Sequence, residues 1–298
     1  MHTTGNRPQA HAQQPQPQPR PLATATPIPS AAPFSPSVPI RSLQDVQRLE
    51  TRPLAEALPV QSTYDIFVNS AAAFGDKTAL TFLPTADPAA EPIRWSYAQL
   101  LTGIHQTANL LHHLGVGPQD AVAVLLPGCL EYHLALWGGE AAGIVQPLNP
   151  MLTDEKIAAM MTLARAKVLI AYGGEGDLGY WSKALRLRAL VPTLTTMLRV
   201  APHTEAPGAA GPLPAGVVDL AERHQHPGDH LVSGRRIAAS DIAAYFHTGG
   251  TTGAPKLARH SHGAQVFTAW GSVQMQGIRP EDVGINGYPL FHVAGVLP

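Results

Sequence analysis

Cysteine is almost missing. Cys129 is the only one in 298 residues, so no disulfide within the chain and no cysteine-based metal cluster can form. A reducing compartment fits that usage. Charge is scarce as well: 14% of the residues are charged against 45% hydrophobic, and the formal net charge is −1. A chain so close to neutrality is not built to neutralise a phosphate backbone, so nucleic acid is excluded as its main partner. No uninterrupted apolar run reaches the roughly 18 residues that a membrane-spanning helix needs. The longest, Tyr132 to Val145, is broken by Gly138, Gly139 and Glu140. No transmembrane segment is therefore expected. The N-terminus also has no compact apolar core of the kind a secretory signal carries.

What the chain has in excess is proline and glutamine at its start. Gln13-Gln14-Pro15-Gln16-Pro17-Gln18-Pro19 cannot bury a core, and each proline removes a backbone donor. Residues 1–45 read as a disordered Pro/Gln-rich tail. The tail carries arginines and no acidic residue before Asp45, as a transit peptide does. Its prolines forbid the amphipathic helix such a peptide requires, and the cytoplasm is the expected compartment.

From Ser62 the chain turns globular. Ser62 or Thr63 caps a predicted helix bearing Ile66, Phe67, Ala71 and Phe74, stopped at Gly75. Thr78–Leu83 and Ile93–Trp95 read as strands. Ser96 caps the most strongly periodic helix, with Leu100, Leu101, Ile104, Ala108, Leu111 and Leu114 on one face and Gly115 as the stop. Its histidines, His105, His112 and His113, are expected at solvated or edge positions. Ala121–Leu126 is continuously apolar, which suits a strand buried on both faces. A helix follows over Glu131 to Ala142, then a short strand and turn over Gly143–Pro150. Thr153 caps a helix through Ile157, Met160, Met161 and Leu163, and Lys167–Tyr172 is the next strand. Ala201–Asp229 reads as a long surface excursion with a short strand at Val217-Val218. Ile242–Phe246 is a strand, a helix is expected from Ser261 or His262 to Gln276, and Val283–Tyr288 reads as a last strand. Strands alternating with helices predict an α/β fold with parallel-rich sheets.

Several residues with chemical potential read better as structure. Gly174-Glu175-Gly176-Asp177-Leu178-Gly179 matches a dinucleotide-binding pattern. Its two carboxylates would face a pyrophosphate, though, and the acidic residue expected about 20 positions later is missing. Cys129 lies near a helix start but has no base at a useful spacing, so it reads as a small buried residue. Trp95, Trp137, Trp181 and Trp270 read as core. His260, His262 and His292 lack a carboxylate or cysteine at a recognisable ligand spacing, so no metal site is expected.

One stretch concentrates chemistry. Tyr245-Phe246-His247-Thr248-Gly249-Gly250-Thr251-Thr252-Gly253-Ala254-Pro255-Lys256 combines three glycines, three threonines and a lysine behind an apolar run. Glycines let backbone N–H groups turn toward an anion, threonine hydroxyls donate to it, and lysine brings a mobile point charge. This is a phosphate-gripping loop. It is not a Walker A loop, because Ala254 and Pro255 separate Gly253 from Lys256 and Leu257 follows. A strand, this loop and then a helix would aim helix amides at the anion.

That stretch resembles the signature loop of the AMP-forming, adenylate-forming acyl-CoA synthetase family, with Ser261-His262 in the place of the Thr-His or Ser-His that follows it. Trp95–Leu100, Gly117–Pro127, Gly143–Pro150 and Pro289-Leu290-Phe291-His292 resemble further motifs of that family, in its order. Gly249, Leu257 and Gly128 depart from the family's usual serine, glycine and asparagine.

The resemblance implies the fold of the family's N-terminal adenylation domain, with residues 46–298 as part of it. It implies ATP, Mg2+ and CoA as co-substrates and a small-molecule carboxylic acid, fatty or aryl, as the substrate activated to acyl-adenylate and then acyl-CoA. It places Thr248, Gly249, Gly250, Thr251, Thr252, Gly253 and Lys256 on the ATP phosphates, and Phe291 with His292 beside the acyl pocket. The family's ribose motif and the lysine of its small C-terminal domain have no counterpart in these 298 residues. No catalytic residue is therefore assigned within the chain, which is expected to be inactive alone. The alternatives are a nucleotide-binding pseudo-enzyme or a non-functional truncated gene product.

Overall fold

Val122 and Val124 face one side of their strand, Ala121, Ala123 and Leu125 the other, and all five are buried. A strand covered on both faces needs layers above and below it, and that demand organises the molecule. The computed structural model describes residues 41–297 apart from 52, 54, 55, 57, 59, 88, 174–178, 204, 206–211 and 249–255.

The chain opens with α1 (Leu43–Leu49) and α2 (Thr63–Phe74), then a two-stranded antiparallel sheet of β1 (Thr78–Phe82) and β2 (Ile93–Ser96). Next come α3 (Tyr97–His113), β3 (Ala121–Leu125), α4 (Leu130–Ala142), β4 (Ile144–Pro147), α5 (Asp154–Ala164) and β5 (Ala166–Tyr172). They are followed by α6 (Tyr180–Leu190), β6 (Thr196–Val200), β7 (Val217–Asp219) and a short 3-10 segment, Leu220–Gln225. The last elements are β8 (Ile242–His247), β9 (Leu257–Ser261), α7 (His262–Gln276) and α8 (Val293–Val296). Seven strands form one sheet in the order β7-β6-β5-β3-β4-β8-β9. Every neighbouring pair is parallel except β8 with β9. The α/β, parallel-rich architecture is the one the alternating pattern predicts.

The helices begin where hydroxyls stand. Ser62 Oγ accepts from the Asp65 amide while Asp65 Oδ2 accepts from the Ser62 amide, a reciprocal cap for α2. Ser96 and Gln99 cap α3 in the same way. Helices α3 and α4 cover one sheet face through Ile104, Leu111, Tyr132 and Leu136, while α5 and α6 cover the other through Ile157, Met161, Ala184 and Leu187.

Several expectations fail, each for a physical reason. His105 is buried rather than solvated. The Gly228 carbonyl, 2.9 Å from its Nδ1, requires a donor there, so Nε2 accepts from the Tyr64 hydroxyl at 2.8 Å. His112 and His113 are exposed as expected. Leu163 lies on the solvent side of α5, 61% exposed. The tryptophans are half-buried, with Trp95 and Trp137 lying over one core and Trp181 over the other. Val283–Tyr288 is no strand: among the described residues no strand pairs with it, and Val283 and Ile285 are more than 90% exposed. Leu43–Leu49 form a helix that overlaps the last three residues of the stretch read as tail, because Ser42 and Asp45 make a capping box. Strand β6 has no counterpart in the sequence reading. Residues 1–40 and Gly174–Leu178 lie outside the described residues.

Glycine sets the spacing of α3 and α4. A Cβ at Gly138 would stand 2.8 Å from Thr107 Cβ and 3.1 Å from the Ile104 carbonyl oxygen. A Cβ at Gly103 would meet only the tip of Leu134, at 2.7 Å. Overpacking against backbone outweighs the gain in helix propensity, so Gly138→Ala is expected to lose about 1–2 kcal/mol. Gly103→Ala should lose less, because a leucine end can turn aside. Urea midpoints of the two variants decide the order.

Candidate functional site

Parallel pairing brings the carboxyl ends of β3, β4, β5, β6 and β8 to one edge of the sheet. At that edge β3 passes into α4 on one face, whereas β4 passes into α5 on the other. Neighbouring strands whose connections part in this way leave a crevice between them, the usual ligand position in such sheets. β8 lies next to β4, so its last residue, His247, stands at the same edge.

Thr248 and Lys256 meet at the root of the signature loop. The Thr248 amide donates to the Lys256 carbonyl at 3.1 Å, and both side chains are exposed. Gly249, Gly250, Thr251, Thr252 and Gly253 lie outside the described residues. The expected strand–loop–helix order is corrected: β9 intervenes and pairs antiparallel with β8, from His247 opposite Leu257 to Ala244 opposite His260. The described residues on either side of the loop thus belong to two antiparallel strands.

Helix α7 therefore starts a strand's length away, at Ser261. Its first amides are already satisfied. His262 N donates to the Asp241 carbonyl at 3.0 Å, Gly263 N to the Ala239 carbonyl at 2.9 Å, and Ala264 N to Ser261 Oγ. These first amides of α7 are therefore not free to meet an anion.

Phe291 reaches this edge. Its ring centroid lies 6.5 Å from that of His247, the last residue of β8. His292 is exposed and caps α8, its Nδ1 accepting from the Ala294 amide at 3.1 Å. His247 is the residue sequence reasoning passed over, although it stands inside the signature stretch, directly before Thr248. Its Nδ1 is buried without a partner among the described residues. Burial, then the charge of His292, holds the His247 pKa below the ordinary histidine value. Cys129 is buried as expected, and burial pushes its thiol up to about 12, so it offers no thiolate. Among the described residues, no cluster of three or more His, Cys, Asp or Glu side chains could hold a metal ion. Among the same residues, no helix is long and apolar enough to cross a membrane.

A family model described as AMP-binding enzyme matches residues 67–298. The chain belongs to that family. Its relatives include the marinolic acid–CoA ligase of Pseudoalteromonas sp. (strain SANK 73390), 29% identical over 87% of this chain and 39% of that protein. Long-chain fatty acid transport protein 1 of Mus musculus is 34% identical over 70% of this chain and 31% of its own length. Among solved structures, the acetoacetyl-CoA synthetase of Streptomyces lividans shares the fold at a TM-score of 0.65 and 22% identity, over 79% of this chain and 37% of that one. The chain thus spans well under half the length of the relatives it matches.

Two outcomes follow at this edge. Removing one of the two influences on His247, by His292→Gln, is expected to raise the His247 pKa, readable by NMR titration of its ring protons. A Cβ at Gly295 would overlap the Pro289 carbonyl oxygen, with the carbonyl carbon at 2.8 Å. Gly295→Ala is therefore expected to displace the Pro289–His292 turn and reduce the hydrogen-exchange protection of the His292 amide, which donates to Pro289 O.

Proposed function

We propose that this chain supplies the ATP-phosphate hairpin and one wall of the acyl site in ATP-dependent activation of a carboxylic acid to acyl-adenylate and then acyl-CoA. The observation that carries the reading is the position of the signature hairpin. It rises at the carboxyl edge of a parallel sheet, beside the parting of the β3 and β4 connections, with Phe291 against the last residue of β8. Relatives named as acid–CoA ligases support the reaction class. In this reading residues 46–298 form part of an adenylation domain and act in the cytoplasm.

The roles follow from the chemistry of the residues. Thr248, Gly249, Gly250, Thr251, Thr252 and Gly253 offer amides and hydroxyls to the β- and γ-phosphates, and Lys256 offsets their charge. Phe291 and His292 border the acyl group, with His247 behind them. The substrate carboxylate is itself the nucleophile, so the protein acts by positioning and by stabilising charge. Mg2+ would come with the nucleotide and offset phosphate charge. CoA would take the acyl group in the second step.

ATP titration followed by fluorescence or calorimetry tests the reading. Wild type is expected to bind, and Lys256→Ala to weaken binding about tenfold, the worth of one charge-assisted contact. A folded wild type that binds no ATP would overturn it. Without the ribose motif and the C-terminal lysine, the 298 residues are expected to release no pyrophosphate with ATP and a panel of fatty and aryl acids. Release would sink the claim of inactivity while upholding the ligase reading.

A further inference from the structure

Beneath the hairpin lies a group of buried polar side chains that phosphate binding does not use. Thr63 opens α2, Glu140 sits near the end of α4, and His262 and Gln265 lie in the first turns of α7. All four are fully or almost fully buried. Thr63 Oγ1 is 2.7 Å from Glu140 Oε2 and 2.9 Å from His262 Nδ1. Gln265 Nε2 donates to Glu140 Oε1 at 2.9 Å. The segment from Arg235 to Asp241 closes the group. Arg235 donates through one nitrogen to the carbonyls of Glu140, Ala141 and Gly143, and its other terminal nitrogen is 3.6 Å from Asp241. Asp241 in turn accepts the His262 amide through its carbonyl. Arg235 and Asp241 are the other charged groups facing the cluster.

We propose that Glu140, Thr63 and His262 form a proton-sharing clamp, a set of positioning residues that fixes the root of the β8–β9 hairpin to α2 and α4 through one hydroxyl. A hydroxyl donates once, so the chain of bonds has two self-consistent directions. With Glu140 protonated, its proton goes to Thr63 Oγ1, Thr63 donates to His262 Nδ1, and the imidazole proton sits on Nε2. With Glu140 ionised, Nδ1–H donates to Thr63, Thr63 donates to Oε2, and Nε2 is bare. The two forms differ by one proton, and the ring is neutral in both. His262 Nε2 has no partner among the described residues, so either tautomer fits.

The acid and the ring respond oppositely to pH. Burial raises Glu140 from 4.5 to about 7, so its contribution to the hold is complete below pH 4.5 and fades as pH rises through about 7. Burial, then Arg235, lowers His262 from 6.5 to about 4, so its contribution is complete above pH 6.5 and fades as pH falls through about 4. Over the shared interval the two slopes oppose each other, and the clamp holds with nearly constant strength.

Hydrogen exchange of the β9 amides, corrected for intrinsic rates, reads this directly in the whole chain. Glu140→Gln leaves the ring's slope alone, so β9 opening should rise about tenfold or more as pH falls from 6.5 toward 4. His262→Gln leaves the acid's slope alone, so opening should rise by a similar factor as pH climbs from 4.5 through 7. Wild type should be flatter than either. Thr63→Val should lose β9 protection at every pH, and Thr63→Ser should restore it. Both single variants keeping the wild-type profile, or Thr63→Val leaving β9 protection unchanged, would overturn the proposal. Its consequence for ATP rests on the reading above: a clamp that sets Lys256 makes Thr63→Val weaken ATP binding and Thr63→Ser restore it. If wild type binds no ATP, that reading falls, and the exchange profiles still decide the clamp.

Discussion

Parallel pairing is the constraint on which the rest depends. A parallel neighbour can be reached only by a crossover, so each strand from β3 to β6 must send a helix or a long segment back across a face. That covers both faces, removes water from Val122, Ala123, Val168 and Leu169 alike, and makes the strands read as unbroken apolar runs. It also makes every connection leave from the same edge. The proposed site lies at that carboxyl edge, where the connections begin, whereas the opposite edge receives the returning chain.

Much of this was legible because each signal was local. Capping hydroxyls at Ser62, Ser96, Thr153 and Ser261 announced four helices within a residue of their starts. The Ala121–Leu126 run announced a doubly covered strand. What failed depended on partners distant in sequence. Leu257–Ser261 is too polar to read as a strand and becomes one only because β8 offers an antiparallel edge. Val283–Tyr288 has the composition of a strand but pairs with no strand among the described residues. His105 looked like surface until the loop at Gly228 folded over it. The candidate site was legible as a motif, down to Thr248 and Lys256, while its geometry was not, since a hairpin and a strand–loop–helix unit share the same first half.

Several of the polar contacts tie the segment between β7 and β8 to the helices beside it. Asn109 holds the 227–232 loop by three hydrogen bonds, to the carbonyls of Pro227 and His230 and from the amide of Val232. Arg235 grips the last carbonyls of α4. These contacts staple the long segment between β7 and β8 onto α3 and α4, and so determine the direction in which β8 enters the sheet. A polar group removed from such a junction leaves its partner buried and unpaired, which costs more than the bond itself contributed.

The antiparallel closure of the loop also carries an evolutionary consequence. Both ends of the stretch from Thr248 to Lys256 are held in register by β8 and β9. Gaining or losing one residue in a free loop is nearly neutral, but here the change would have to be absorbed at the tip. Otherwise β9 would slip by one position, turn all its side chains over and carry His262 away from Thr63. The length of this segment is thus inherited with the sheet, and substitution rather than insertion is the route left open for changing what it binds.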